Sequence, residues 1–238
     1  MRPVAVALLL LPLLLSACDM PRDAAGTLER VRGGEIRVGV VGHPPWVRLS
    51  EGHVEGIEPA LVRSFAESLA ARIRWVAGSE AQLVEALHRR EIDLLAGGLA
   101  RNTPHSPRLG LTQPYLTASL TIGVPPGQAA PGDWLGRRVL VPSDRPGLIG
   151  RLRETGAIPV APAAEAEQDG PPLPRAGYHF ELEAHGLRPV PDAELATERH
   201  ALAVSGGESA FLLALDRFLH DLGEDRIRRI AAREGGGL

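Results

Sequence analysis

The alternation of apolar and polar residues between positions 35 and 96 constrains this chain more than any other feature. Residues 35–41 place Ile36, Val38 and Val40 at every second position, the period of a strand. Ile57, Leu61, Phe65 and Leu69 then recur at four-residue spacing, the stripe of an amphipathic helix, with Pro59 in its first turn, where proline is tolerated. Residues 73–76 give a second short strand. Ser79 and Gln82 form a capping-box pattern ahead of Leu83, Val84 and Leu87, and residues 92–96 give a third strand. Strand, helix, strand, helix, strand implies a parallel sheet, since parallel neighbours need a crossover and a helix is the usual one. His43-Pro44-Pro45-Trp46 stops the first strand, because proline cannot donate into a ladder. That leaves Trp46 at a strand's C-terminal end, as a partly buried loop aromatic or as a surface on which a ligand stacks. Residues 52–56 read as a hairpin-like turn.

The third strand opens into Gly97-Gly98, then a polar loop with Arg101, His105 and Arg108, and closes on Thr112-Gln113-Pro114-Tyr115. Ligands of α/β sheets bind beyond the carboxyl ends of strands, so residues 92–115 are the first place to look for function. Residues 116–124 form another β-rich run, ended by Pro-Pro-Gly at 125–127. Residues 138–141 (strand), 146–155 (helix, with Ser143, Asp144 and Arg145 at its start) and 158–161 (strand) make a second unit, and hence a second lobe. Pro171, Pro172 and Pro174 exclude a central strand from 163–174. Residues 181–185 read as one helical turn closed by Gly186, and 200–204 as a strand. The strongest helix is 208–222, with Phe211, Leu212, Leu215, Phe218, Leu219 and Leu222 on one face, followed by a shorter one at 225–233. A short lead-in helix fits 27–32.

Composition narrows the function. At 238 residues and 44% hydrophobic, the chain is globular, with room for one large or two small domains. A net charge of -3 gives no general pull on nucleic acid. Every basic side chain is an arginine. The histidines are scattered, and His179 with His185 has no carboxylate or cysteine at a metal-ligand spacing, so neither a metal nor a cofactor is expected. Glu58, Glu181 and Glu183 read as solvated acids without a paired partner or nucleophile, which argues against an enzyme. At the N-terminus, Arg2 precedes an apolar run at 4–15, shorter than the ~20 residues that cross a bilayer and of the size of a signal segment. It ends Leu15-Ser16-Ala17-Cys18, which resembles the bacterial lipobox, with Cys18, the only cysteine, carrying lipid. Asp19 after it resembles an inner-membrane retention signal, which points to the periplasmic side of that membrane.

Several pieces together resemble the bacterial extracellular solute-binding protein family 3, the periplasmic amino-acid-binding type. They are Gly-Glu-Ile-Arg-Val-Gly-Val at 34–40 followed by Pro-Pro-Trp, Gly-Ile-Glu-Pro-Ala-Leu at 56–61, Glu-Ile-Asp-Leu-Leu-Ala-Gly-Gly-Leu at 91–99, Thr-Gln-Pro-Tyr at 112–115 and Trp-Leu-Gly-Arg-Arg-Val at 134–139. The resemblance implies an α/β fold, a two-lobed periplasmic binding protein type II clamshell, here with a shortened second lobe. Its parts would be a lipoprotein signal peptide at 1–18, a tether at 19–26, lobe 1 at 27–116 plus 199–238, and lobe 2 at 117–198. Solute would sit in the cleft, and closure would be a hinge motion favoured by contacts from both lobes.

Site residues follow from the resemblance one at a time. Counting from Gly98 to Tyr115 without gaps, the arginine that clamps a ligand carboxylate in the family falls on His105, and the threonine on Asn102. Arg101 and Arg108 flank that position and Thr103 is adjacent. In lobe 2 the expected central strand is missing from 171–180, and Tyr178 or His179 stands near the family's aspartate. Ser143 and Arg145, near a helix N-terminus, suit an anion. The ligand-binding candidates are therefore Trp46, Glu58, Gly98, Arg101, Thr103, His105, Arg108, Tyr115, Ser143 and Arg145. The implied function is capture of a small polar solute, an amino acid or small acid, for an ABC permease or a membrane sensor. Two alternatives stand beside it: an interaction module that binds no solute, and a regulatory module like that of lytic transglycosylases, whose catalytic helical domain the chain lacks.

Overall fold

The structure, a computed structural model, describes residues 22–101, 109–142, 145–163 and 171–235. Cys18 with its signal segment, Asn102, Thr103, His105, Arg108, Ser143 and Asp144 lie outside the described residues.

Two sheets organise the chain. The first runs in the order β4 (Arg72–Ala77), β1 (Glu35–Val40), β5 (Leu94–Ala96), β13 (Ala203–Ser205), β6 (Leu109–Leu111). β1 pairs in parallel with β4 and β5, with Val38 opposite Trp75 on one side and Leu94 on the other. The helices α2 (Ile57–Ser68) and α3 (Glu80–His88) make the two crossovers. Ser79 and Gln82 close the capping box on α3, the Gln82 side chain accepting from the Ser79 N–H at 3.1 Å. β13 returns from the C-terminal part of the chain, antiparallel to both β5 and β6. α1 (Thr27–Val31) leads into β1. Asp93, buried just before β5, accepts from the backbone and guanidinium of Arg37 and from Arg30, which ties the start of β5 to β1 and α1.

The second sheet runs β11 (Arg188–Pro189), β7 (Leu116–Val124), β10 (Arg175–Tyr178), β8 (Arg138–Leu140), β9 (Ile158–Val160), with β12 (Ala196–His200) also on β7. α4 (Pro146–Glu154) joins β8 to β9, which are parallel. β7 and β12, paired antiparallel from Leu116–His200 to Leu120–Ala196, carry the chain between the two sheets.

Several sequence-based expectations need correction. The central strand of the second lobe is present: β10 lies between β7 and β8. Arg-Ala-Gly-Tyr has no β-branched residue, so local propensity did not reveal it; cross-strand pairing makes it a strand. The hairpin-like turn expected at 52–56 falls slightly earlier, at Glu51 and Gly52, between β2 (Arg48–Ser50) and β3 (His53–Glu55). The expected strand at 200–204 is two strands, broken where Ala201 and Leu202 bond back to Leu99 and Thr112.

The C-terminal helices bind the halves together. α6 (Ser209–Leu222) buries Phe211, Leu215 and Leu219 against the first lobe, with Phe65 5.8 Å from Phe211 and 5.3 Å from Phe218. α7 (Glu224–Gly235) packs both on α2 and on α5 (His179–Ala184) of the second lobe. One hydrophobic core therefore runs through both lobes, with Trp46 and Tyr178 among its members. Among the described residues no helix is long and apolar enough to cross a membrane.

Candidate functional site

The carboxyl end of β1 turns through Pro44 and Pro45 and delivers Trp46 to the interlobe space, where it is fully buried. Its ring stacks on that of His200, at the end of β12, with centroids 3.6 Å apart and planes 29° apart. Tyr178, closing β10, meets it edge-on at 5.2 Å, and the indole N–H donates to the Tyr178 hydroxyl at 3.2 Å. That hydroxyl in turn donates to Glu198 at 2.7 Å. Two glycines make room. A Cβ on Gly98, at φ 71°, would lie 2.4 Å from the Trp46 ring, and one on Gly56, at φ 118°, would lie 2.6 Å from the Trp46 carbonyl oxygen. Only glycine fits both the backbone conformation and the space.

Behind this seam lies a second buried group. Glu58, in the first turn of α2, accepts from the N–H groups of Gly97 at 2.6 Å and Gly98 at 3.0 Å, and from the Tyr115 hydroxyl at 2.6 Å. Burial pushes its carboxyl up to about 7 against the pull of those three donors, and pushes the Tyr115 hydroxyl up as well. The Gly-Gly turn is thus held by a side chain of its own lobe. Glu58 does not lie on a solvated face as the sequence suggested; the apolar stripe gave no sign that the adjacent position also faces inward.

The acid–imidazole pair at the hinge is unusual. His200 Nδ1 faces the Gly98 carbonyl at 3.2 Å, while the buried Nε2 lies 3.3 Å from the Glu198 carboxylate without hydrogen-bonding geometry. Burial lowers the His200 pKa against the opposing pull of Glu198. The neutral ring has one N–H and satisfies one acceptor at a time. The neighbouring His200 ring holds the Glu198 carboxyl low, outweighing its burial, with the Tyr178 hydroxyl adding to it.

The sequence candidates divide accordingly. Trp46, Glu58, Gly98 and Tyr115 come together, and their polar atoms are spent on one another and on His200 and Tyr178. Arg101 is engaged by neighbouring backbone, its own backbone N–H donating to the Arg199 carbonyl and its guanidinium to the Thr112 carbonyl at 2.6 Å. Arg145, just before α4, sits across the interlobe boundary from Trp46. Its guanidinium makes a two-pronged pair with Glu181 at 2.6 and 2.7 Å and donates to the Pro44 carbonyl at 2.9 Å. Glu181 is therefore an ion-pair partner that also accepts from the Tyr178 N–H, and not the solvated acid the sequence suggested. His200 and Glu198 were missed entirely, because only pairing of β12 with β7 brings them to the seam.

Beside the seam an interlobe cavity of about 410 Å³ remains. Pro44, Arg48 and Glu55 wall it from the first lobe; Arg145, Arg175 and Glu181 wall it from the second. Its size falls in the range of about 300–1,000 Å³ usual for small-molecule sites. Among the described residues no group of three or more His, Cys, Asp or Glu is placed to hold a metal ion.

Two α/β lobes joined by paired strands, with a cavity between them, define a two-lobed binding protein of the type II periplasmic class. The chain belongs to the bacterial extracellular solute-binding proteins, family 3, whose model matches residues 36–236. Among solved structures it is similar to an ancestral cationic amino acid solute-binding protein, at 17% identity and a TM-score of 0.65, covering 89% of this chain and 100% of that one. It is also similar to the unliganded, open L-cystine solute receptor of Neisseria gonorrhoeae, at 15% identity and a TM-score of 0.63, covering 88% and 96%. A third is the GluR0 ligand-binding core in complex with L-glutamate, at 19% identity and a TM-score of 0.60, covering 85% and 98%. No curated protein matches the chain in sequence.

Proposed function

We propose that this protein is a non-enzymatic, lipid-anchored solute-binding protein on the periplasmic side of the inner membrane. It holds a small polar solute, an amino acid or small acid, between its lobes and presents it to an ABC importer or a membrane sensor. The observation that carries the reading is the cavity walled by both lobes, with charged groups on each wall. The three similar structures support the solute class, since their names specify cationic amino acid, L-cystine and L-glutamate.

Thermal shift of the full chain in detergent, against amino acids and small acids, tests this. A solute at 100 times its Kd adds about 2.7 kcal/mol, a clear rise in Tm. No rise with any compound would favour the second reading, an interaction module. One observation favours that reading: Trp46, His200 and Tyr178 fill the space between the lobes with the protein's own side chains. The anchor rests on the Leu-Ser-Ala-Cys sequence at 15–18. Cys18→Ser is expected to release the protein from membranes, and continued attachment would refute it.

A further inference from the structure

The first described residues are clasped onto lobe 1. Asp23 and Glu208 form an antiparallel bridge, the Ala24 N–H donates to the Gly207 carbonyl, and the Ser209 N–H donates to the Arg22 carbonyl. The Asp23 carboxylate serves two helices at once, accepting from the Leu28 N–H of α1 at 2.7 Å and the Phe211 N–H of α6 at 2.8 Å. The buried Glu208 carboxylate accepts from the Ala25 N–H at 3.0 Å and the Thr27 N–H at 3.3 Å. From Arg22 onward the chain is therefore fastened to the lobe.

The clasp lies at the pole of lobe 1 opposite the interlobe boundary. The carboxyl ends of β1 and β5 lead to Pro44 and Gly98, which are at that boundary. β13 runs antiparallel to β5, with Val204 opposite Leu94, so it leaves the sheet beside the amino end of β5. Ser205 ends it there, its hydroxyl donating to the Leu87 carbonyl near the end of α3, and Glu208 follows three residues later. The six residues of β1 separate this pole from the boundary by about 20 Å. In two ion pairs at the pole the cation is the outer member. The Arg30 side chain is 42% exposed over Asp93 at 2%, and that of Arg90 is 47% exposed over Glu208 at 1%. Asp93 also pairs with Arg37, which leaves one positive charge in excess. Arg22 and Arg32 are exposed on the same pole, and its exposed acids are Glu29, Glu67 and Glu91.

Cys18 stands four residues before Arg22, a span of at most about 14 Å even when fully extended. A lipid on Cys18 holds the clasp within that distance of the headgroups, so the surface around the clasp is the one that meets the bilayer. Guanidinium groups standing outside their buried carboxylates suit an anionic headgroup layer. We propose that this pole of lobe 1, with Arg22, Arg30, Arg32 and Arg90, is a docking face for the anionic phospholipid surface in which Cys18 is anchored, with lobe 2 directed away from it. The proposal rests on the lipid-anchor reading above and deepens it, by naming the surface that the anchor brings to the membrane.

Energy transfer from a dye on the lipidated protein to acceptor-labelled lipid is the test, in vesicles of phosphatidylethanolamine and phosphatidylglycerol. The dye is placed in turn at Glu29→Cys on α1 and at Glu154→Cys, both exposed. Glu154 ends α4, whose other end is at the boundary, where Arg145 reaches the Pro44 carbonyl. Transfer from position 29 is expected to be at least twice that from position 154. It is expected to fall in vesicles of phosphatidylcholine alone, and to fall on the anionic vesicles when Arg32→Glu is added. Equal transfer from the two positions, or more from position 154, would overturn the docking face while vesicle-bound protein leaves the anchor intact. A position-29 signal indifferent both to lipid charge and to Arg32→Glu would overturn the headgroup contact. Protein that does not sediment with vesicles would overturn the anchor reading and the docking face together.

Discussion

The seam around Trp46 and the cavity beside it occupy the same interlobe boundary, two residues apart in the chain at Trp46 and Pro44, yet they are opposite in kind. In the seam the protein supplies both sides of every contact: indole on imidazole, indole N–H on phenol, phenol on carboxylate. In the cavity Glu55 of one lobe and Arg175 of the other line the wall, and neither side chain has an ion-pair or hydrogen-bond partner among the described residues. Filled space with spent hydrogen bonds ties one lobe to the other. The interlobe boundary thus carries, in this chain, a packed contact and a cavity side by side.

The sharpest way to break this contrast is to empty the seam. Trp46→Ala removes a fully buried indole and leaves His200 and Tyr178 facing a void, so a loss of about 3–5 kcal/mol is expected in urea unfolding. A loss under about 1 kcal/mol would mean that the seam does not hold the lobes. A smaller, pH-dependent effect comes from Glu58. Its carboxyl sits at about 7 in the folded chain against an ordinary 4.5, so the folded state keeps a proton that the unfolded chain releases. The stability from that proton is complete below pH 4.5 and is lost as pH rises through 7, a difference of about 3 kcal/mol at 1.36 kcal/mol per pH unit. His200 has the opposite sign: its pKa is lowered, so its contribution is present above 6.5 and lost as pH falls through its folded value. Glu58→Gln should therefore remove the loss of stability between pH 4.5 and 7.5 that is due to Glu58, leaving that of His200. Identical pH profiles for the two proteins would contradict the buried-carboxyl account.

Much of the fold was legible in the sequence, and less of the site. The strands and helices between 35 and 96 followed from side-chain period, and α3 from its capping box, because these signals are local. β10 was hidden because Arg-Ala-Gly-Tyr owes its strand to β7 and β8 on either side. At the site, Trp46 and Arg145 were visible as a loop aromatic after a strand and a cation before a helix. Their partners were not. Glu181 read as a surface acid because nothing near it in sequence shows that Arg145 will face it. Glu55 and Arg175 carry no motif at all, since the hairpin and the central strand of the second sheet are brought to one cavity only by the tertiary fold.

The central claim is that the lobes meet through the Trp46, His200 and Tyr178 seam. The most direct test is the distance between spin labels at Glu67→Cys on α2 and Arg153→Cys on α4, measured by double electron–electron resonance without solute. The account predicts one narrow distance in the otherwise unchanged protein, and a longer, broader distribution when Trp46→Ala is added. A distribution already broad before Trp46 is replaced, and unaltered by its loss, would contradict it.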